Sequence, residues 1–146
     1  MELGIELPPA PTPLGSYVES VQTGNLLYLS GVLPVIGHEP KFVGRLGREF
    51  TAEQGREAAR LAALNVLAAA RNHLGSLDKV TRVVKLTAYL AAEENFPALP
   101  KVADGASELL RDVFGEGKLP VRMVLGVASL PLGVPAVVEV LFEIKV

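Results

Sequence analysis

Apolar and polar residues alternate in short bursts over residues 17–30, where YVESVQ and NLLYLS flank Thr23, Gly24 and Asn25. Period-two runs around a Gly-containing break predict a β-hairpin with its turn at those residues. From Gly31 to Gly47 the pattern breaks up, and the repeated Gly and Pro of GVLPVIGHEPKFVGRLG predict a long irregular loop with at most a brief strand. The period then changes. Thr51 with Gln54 three residues on forms a capping-box pattern, and an Ala- and Leu-rich helix is expected to run to Gly75. Its buried stripe comprises Ala59, Ala62, Ala63, Val66, Leu67, Ala70 and Leu74, leaving Arg56, Arg60 and Arg71 in water.

VTRVVKLTAYL reads as a strand, with Val84, Leu86, Ala88 and Leu90 on one face and Thr81, Val83, Lys85, Thr87 and Tyr89 on the other. A second helix is expected after Asn95 as N-cap, with Pro97 in its first turn. Leu99, Val102, Ala103, Ala106, Leu110, Val113 and Phe114 form its stripe, and Gly115 its end. Two strands close the chain. In VRMVLGVA the large side chains Val121, Met123, Leu125 and Val127 oppose Arg122, Val124, Gly126 and Ala128. In VVEVLFEIKV the residues Val138, Val140, Phe142, Ile144 and Val146 oppose Val137, Glu139, Leu141, Glu143 and Lys145. The uniformly apolar faces are expected under the helices. The mixed faces, carrying Val124, Val137 and Leu141 with a few charges, suit an oligomer interface better than water.

The order β-β-loop-α-β-α-β-β predicts an α+β domain spanning residues 1–146, with two helices covering one face of one sheet. Pro8, Pro9, Pro11 and Pro13 make residues 1–14 an extended arm. Composition narrows the chemistry. The chain contains no Cys, which excludes thiol catalysis and thiolate metal sites, and His38 and His73 lack a neighbouring ligand pattern. With 14 Lys and Arg against 16 Asp and Glu, and no basic cluster, nucleic acid is a poor partner. No apolar run reaches membrane-spanning length, and the start MELGIELPPAPTPLG lacks the layout of a signal peptide, so a cytoplasmic location is expected.

Arg122 stands two residues after Pro120 at a strand start, with small residues on its face. A guanidinium fork there can anchor a carboxylate, or else make an ordinary ion pair. Glu139 faces the same space if the last two strands pair as a hairpin; it can orient a water or shuttle a proton, or pair with Arg122 or Lys145. Tyr17 and Ser30 offer hydroxyls, or else are ordinary surface or turn residues, and Gly31 allows close approach to backbone N–H groups.

The stretches LGSYVESVQTGNLLYLSGVLPV and LPVRMVLGVASLPLGVPAVVEV resemble the two signature regions of the Rid (reactive intermediate deaminase, or YjgF) family, and the intervening helix, strand and helix fit as well. The resemblance covers nearly everything after about residue 14. It implies a chorismate-mutase-like fold assembled as a homotrimer. It further implies cofactor-free hydrolysis of small 2-imino acids to 2-keto acids in clefts between subunits. Carried over by position, the substrate-binding Arg is Arg122 and the acidic residue Glu139. Tyr17, Ser30 and Gly31 fill the first-hairpin positions, and a backbone N–H near Gly31 or Met123 adds a contact. The family also carries endoribonuclease L-PSP and translation initiation inhibitor labels; a keto-acid-binding regulatory trimer is a further alternative. Where better-known deaminases have Asn in the second helix, an ungapped count gives Gly105. Their Ser-Cys pair after the Arg is Met123 and Val124 here, and the LPLGVPAVVEV segment is longer, which together imply a divergent branch.

Overall fold

The computed structural model describes residues 4–146, so the start of the expected arm at 1–3 lies outside the described residues. A mixed five-stranded sheet is formed by β1 (Ser20–Thr23), β2 (Leu26–Leu29), β5 (Val80–Ala91), β6 (Val121–Val127) and β7 (Ala136–Ile144), in the order β1-β2-β7-β5-β6. β6 is parallel to β5, and the other neighbours are antiparallel. Helices α1 (Ala52–Leu74) and α2 (Leu99–Phe114) pack on one face. The loop after β2 contains a minimal hairpin, β3 (Val35–Ile36) with β4 (Glu39–Pro40). Among the described residues no helix is long and apolar enough to cross a membrane.

Helix α1 begins as its sequence dictates. The Gln54 N–H donates to Thr51 Oγ1 at 3.2 Å and the Thr51 N–H to Gln54 Oε1 at 2.9 Å, so two otherwise orphaned donors are satisfied reciprocally. It ends at Gly75, whose φ of 84° allows its N–H to turn back onto Arg71 C=O at 2.7 Å. Helix α2 differs from expectation. Ala98 is its N-cap and Pro100 lies in its first turn, while Asn95 sits in a preceding turn. The turn at Glu94 and Asn95 is followed by non-helical backbone through Ala98, and the second proline, Pro100, takes the first-turn place where a missing N–H costs nothing.

The helices meet closely at two glycines. A Cβ on Gly105 would lie 2.2 Å from the Arg56 carbonyl oxygen, and one on Gly55 would lie 2.5 Å from Leu46 Cδ2 and 3.0 Å from Val102 Cγ1. Arg56, expected in water, instead ties the helices together: its Nη1 donates to Lys101 C=O at 3.0 Å and its Nη2 to Glu108 Oε1 at 2.6 Å. The Ala and Leu of α1 close over Leu86, Leu90, Val138, Val140 and Phe142 to form one core. Asn65, buried in the middle of α1, donates from Nδ2 to Leu33 C=O at 3.0 Å and to Val35 C=O at 2.7 Å.

Two strand faces depart from the expected alternation. In β5 the register shifts between Val80 and Arg82 and again between Val83 and Lys85, so the phase changes and Val83 rather than Val84 joins the core. In β6 the faces are reversed. Leu86, fully buried, pairs with Arg122 on one side and with Val140 on the other, so Arg122 belongs to the helix face. Val121, Met123 and Leu125, expected under the helices, are 67%, 50% and 42% exposed on the open face. At β6 the helix layer needs small residues instead: a Cβ on Gly126 would approach Leu99 Cδ1 of α2 to 3.1 Å.

Candidate functional site

β6 and β7 do not form a hairpin, because β5 runs between them. The helical crossover through α2 carries β6 to the outer side of β5, and a short turn at Pro131–Gly133 returns the chain to the other side. Met123, Thr87 and Glu139 are successive partners across three strands, which puts Glu139 on the open face. Arg122 therefore lies on the opposite side of the sheet from Glu139, and one chain does not bring the two to a common space.

The open face gathers the other expected residues. A groove of about 570 Å³ is lined by Tyr17, Ser30, Gly31, Leu33, Val137 and Glu139, among others. Each is held there by local structure. The Tyr17 N–H donates to Gly15 C=O at 3.0 Å while its hydroxyl accepts from the Leu14 N–H at 3.2 Å, so the end of the arm folds around the ring. Ser30 donates its hydroxyl to Val18 C=O at 2.6 Å and its N–H to Glu19 C=O at 2.9 Å, pinning the end of β2 to the strand before it. Gly31 passes over Val137, where a Cβ would come within 3.1 Å of Cγ1. Glu139 projects from β7 as an exposed carboxylate. Met123 shares its face but stands two strand spacings away, about 10 Å.

Glu19 was not singled out from the sequence. Two positions after Tyr17 in YVES, it lines a small cavity of about 30 Å³ that shares Leu14, Tyr17, Gly31 and Leu33 with the groove. Its Oε2 is buried with no hydrogen-bond partner among the described residues, and burial raises its pKa above the ordinary carboxylate value. The i, i+2 spacing to Tyr17 was the available signal. His38 shares this cavity and lies 3.1 Å from Thr12 Oγ1, whereas His73 bonds to Ser20 and Gln22 and does not line it.

On the helix face, Arg122 Nη1 donates to Asp104 Oδ1 at 2.6 Å and to Ser107 Oγ at 3.0 Å. These residues border a second groove of about 360 Å³ that also meets Glu108, Arg111 and Glu116. The α2 residue beside the arginine is thus Asp104. Gly105, which an ungapped count aligns with the second-helix Asn of better-known deaminases, is turned away into the contact with α1.

The chain matches the YjgF/chorismate mutase-like family model, whose description carries an endoribonuclease label, over residues 1–144. It is 41% identical over 145 residues to protein TCP17 of Trypanosoma cruzi, covering 98% of this chain and 90% of that protein. It is 29% identical over 141 residues to a 2-iminobutanoate/2-iminopropanoate deaminase of Dermatophagoides farinae, covering 97% and 95% of the two chains. Among solved structures, Atu1372 of Agrobacterium tumefaciens, a protein of unknown function, superposes with a TM-score of 0.91 at 36% identity, covering 99% of this chain and 89% of that one.

Proposed function

Since the chain belongs to the YjgF/chorismate-mutase-like, or Rid, family, we propose that it hydrolyses small 2-imino acids to 2-keto acids and ammonia in a cleft that two subunits of a homotrimer build together. The observation that carries this reading is the convergence of Tyr17, Ser30, Gly31 and Glu139, from three separate segments, on one groove. Two features support assembly. Arg122 and Glu139 occupy opposite faces of one sheet, so a small acid can meet both only if they come from different chains. The open face also exposes a row of large apolar side chains: Val21, Tyr28 and Val121 lie along one line of cross-strand partners, with Met123 and Leu125 beside it. An apolar face of this kind belongs against protein.

In the chemistry, the Arg122 guanidinium holds the substrate carboxylate and a backbone N–H near Gly31 or Met123 steadies it. A water adds to the iminium carbon, and Glu139 takes a proton from it. The C–N bond of the resulting carbinolamine breaks as Glu139 returns the proton to nitrogen, and the hydroxyl proton passes to the departing ammonia, so one iminium and one water give one keto acid and one ammonium ion. The iminium is already electrophilic, so orientation and one proton relay supply much of the acceleration. The groove suits RNA poorly, because its charged lining residue is a carboxylate, which repels phosphate.

The test is complementation. Light scattering on a sizing column should give a trimer at micromolar concentration. Arg122→Ala and Glu139→Gln should each release ammonia from freshly generated 2-iminopropanoate about a hundredfold more slowly than wild type. Co-refolding the two variants in equal amounts should restore about a quarter of the wild-type sites, since each rebuilt interface needs one intact face from each variant. A monomer, unchanged turnover by Glu139→Gln, or no recovery on mixing would overturn the reading.

A further inference from the structure

The arginine expected to grip a carboxylate already holds one. Arg122 Nη1 is shared between Asp104 Oδ1 at 2.6 Å and Ser107 Oγ at 3.0 Å, while Nη2 and Nε make no hydrogen bond among the described residues. Asp104 Oδ2 likewise has no such partner. Both side chains are part-exposed, Arg122 at 28% and Asp104 at 43%, so the unused edges face the groove of about 360 Å³. The remaining charges there are committed elsewhere: Glu108 to Arg56 at 2.6 Å, and Arg111 to Asp112 at 3.4 Å and Glu116 at 3.9 Å. A ligand therefore meets a guanidinium and a carboxylate side by side.

A simple monoanion fits such a pair badly. Its carboxylate gains from Arg122 but is repelled at similar range by Asp104. A 2-iminium acid fits well, because it carries a carboxylate and a C=NH₂⁺ group on adjacent carbons. Laid antiparallel to the pair, it puts its anion on Arg122 and its N–H donors on Asp104 Oδ2, so that each charge faces its opposite. Hydrolysis removes that fit, because the 2-keto acid keeps the carboxylate and loses the cation.

We infer that Asp104 is a specificity-determining residue that makes the Arg122 pocket a site for zwitterionic small acids, favouring the iminium substrate over the keto acid it becomes. The inference rests on the proposed imine hydrolysis for its choice of substrate and deepens it. Product is then expelled by the same carboxylate that recognised the substrate, and accumulated keto acid inhibits weakly.

The experiment uses two stable probes with one carbon skeleton, 2-aminobutyrate as the zwitterion and 2-oxobutyrate as the monoanion, titrated calorimetrically into the full-length protein. Wild type should bind the amino acid more tightly. Asp104→Asn keeps the size and an acceptor for Arg122 but removes the charge, and should move the ratio of affinities at least fivefold toward the keto acid. Asp104→Ala should move it in the same direction, which guards against an effect peculiar to asparagine. A smaller shift, or shifts of opposite sign in the two variants, overturns the assignment. Ammonia release from 2-iminobutanoate, measured on the same samples, separates the two ideas. Turnover with an unmoved ratio sinks the role of Asp104 alone. A moved ratio without turnover sinks imine hydrolysis and leaves a zwitterion-binding site. Absence of binding by either probe to all three proteins removes the pocket altogether.

Discussion

Gly105→Ala sets two physical effects of opposite sign against each other. In the interior of α2 an alanine is intrinsically better than glycine by about 1 kcal/mol. The new Cβ, however, would sit 2.2 Å from the Arg56 carbonyl oxygen and 2.9 Å from the Arg56 Cα and carbonyl carbon, all of them backbone atoms of α1. No side-chain rotation relieves that overlap, so α2 must move away by about 1 Å, loosening an alanine-lined contact that is packed to interior density. Overpacking of this kind costs about 3 kcal/mol, at the upper end of the usual range. The net expectation is a loss of about 2 kcal/mol. For a chain of 146 residues this lowers Tm by about 4–8 °C. Thermal and urea unfolding at matched protein concentration read it directly. Gly117→Ala is the control, since a Cβ there meets nothing within 4 Å, and it should change stability by less than about 0.5 kcal/mol. A Gly105→Ala variant as stable as wild type would refute the close helix contact.

Two further outcomes follow from the site. Arg122→Lys keeps the charge but cannot hold Asp104 and a ligand carboxylate with one planar fork, so 2-keto acid binding should weaken about tenfold to hundredfold; calorimetry showing less than a threefold change would remove the bidentate anchor. Glu19 has its pKa raised by burial, so the folded state holds the proton more readily than the unfolded state. Its contribution is most favourable below the ordinary glutamate range and is lost as pH rises through the raised value. Glu19→Gln should flatten that slope when unfolding midpoints are followed from acid to neutral pH, and parallel curves would show that Glu19 is not the titrating group.

What was legible in the sequence was local. The capping box of Thr51 and Gln54, the glycine stop at Gly75, the first hairpin and the inward face of β7 each depend on residues close in the chain and are present, although β1 begins at Ser20 rather than Tyr17, Thr23 pairs within the hairpin, and Val146, expected on the inward face, lies beyond β7 and is exposed. The errors arise where a distant element decides. The phase of β5 changes at its irregular pairing with β7, which period-two counting cannot detect. The β6 face is the reverse of the expected one because apolar character alone does not distinguish burial under helices from an apolar face left open, as Val121, Met123 and Leu125 are. β6 and β7 looked like a hairpin because they are consecutive, but β5 separates them. Those last two errors together made Arg122 and Glu139 seem neighbours. Tyr17, Ser30 and Gly31 line one groove with Glu139, and that approach depends on β2 pairing with β7, a long-range contact that local pattern does not show. Asp104, the α2 partner of Arg122, precedes Gly105 by one residue, which on a helix is a rotation of about 100° and separates a groove-facing Asp104 from a helix-facing Gly105.

Asn65 gives the open-face groove a property that its loop composition conceals. Its amide grips the carbonyls of Leu33 and Val35 from within α1, and Leu33 is part of the groove wall. The wall therefore belongs to the same cooperative folding unit as the main helix and cannot open without exposing that helix's buried side. Its shape is set before any ligand arrives. For the small acids proposed as ligands, which have few atoms from which to draw affinity, a wall fixed in advance leaves little conformational entropy to lose on binding.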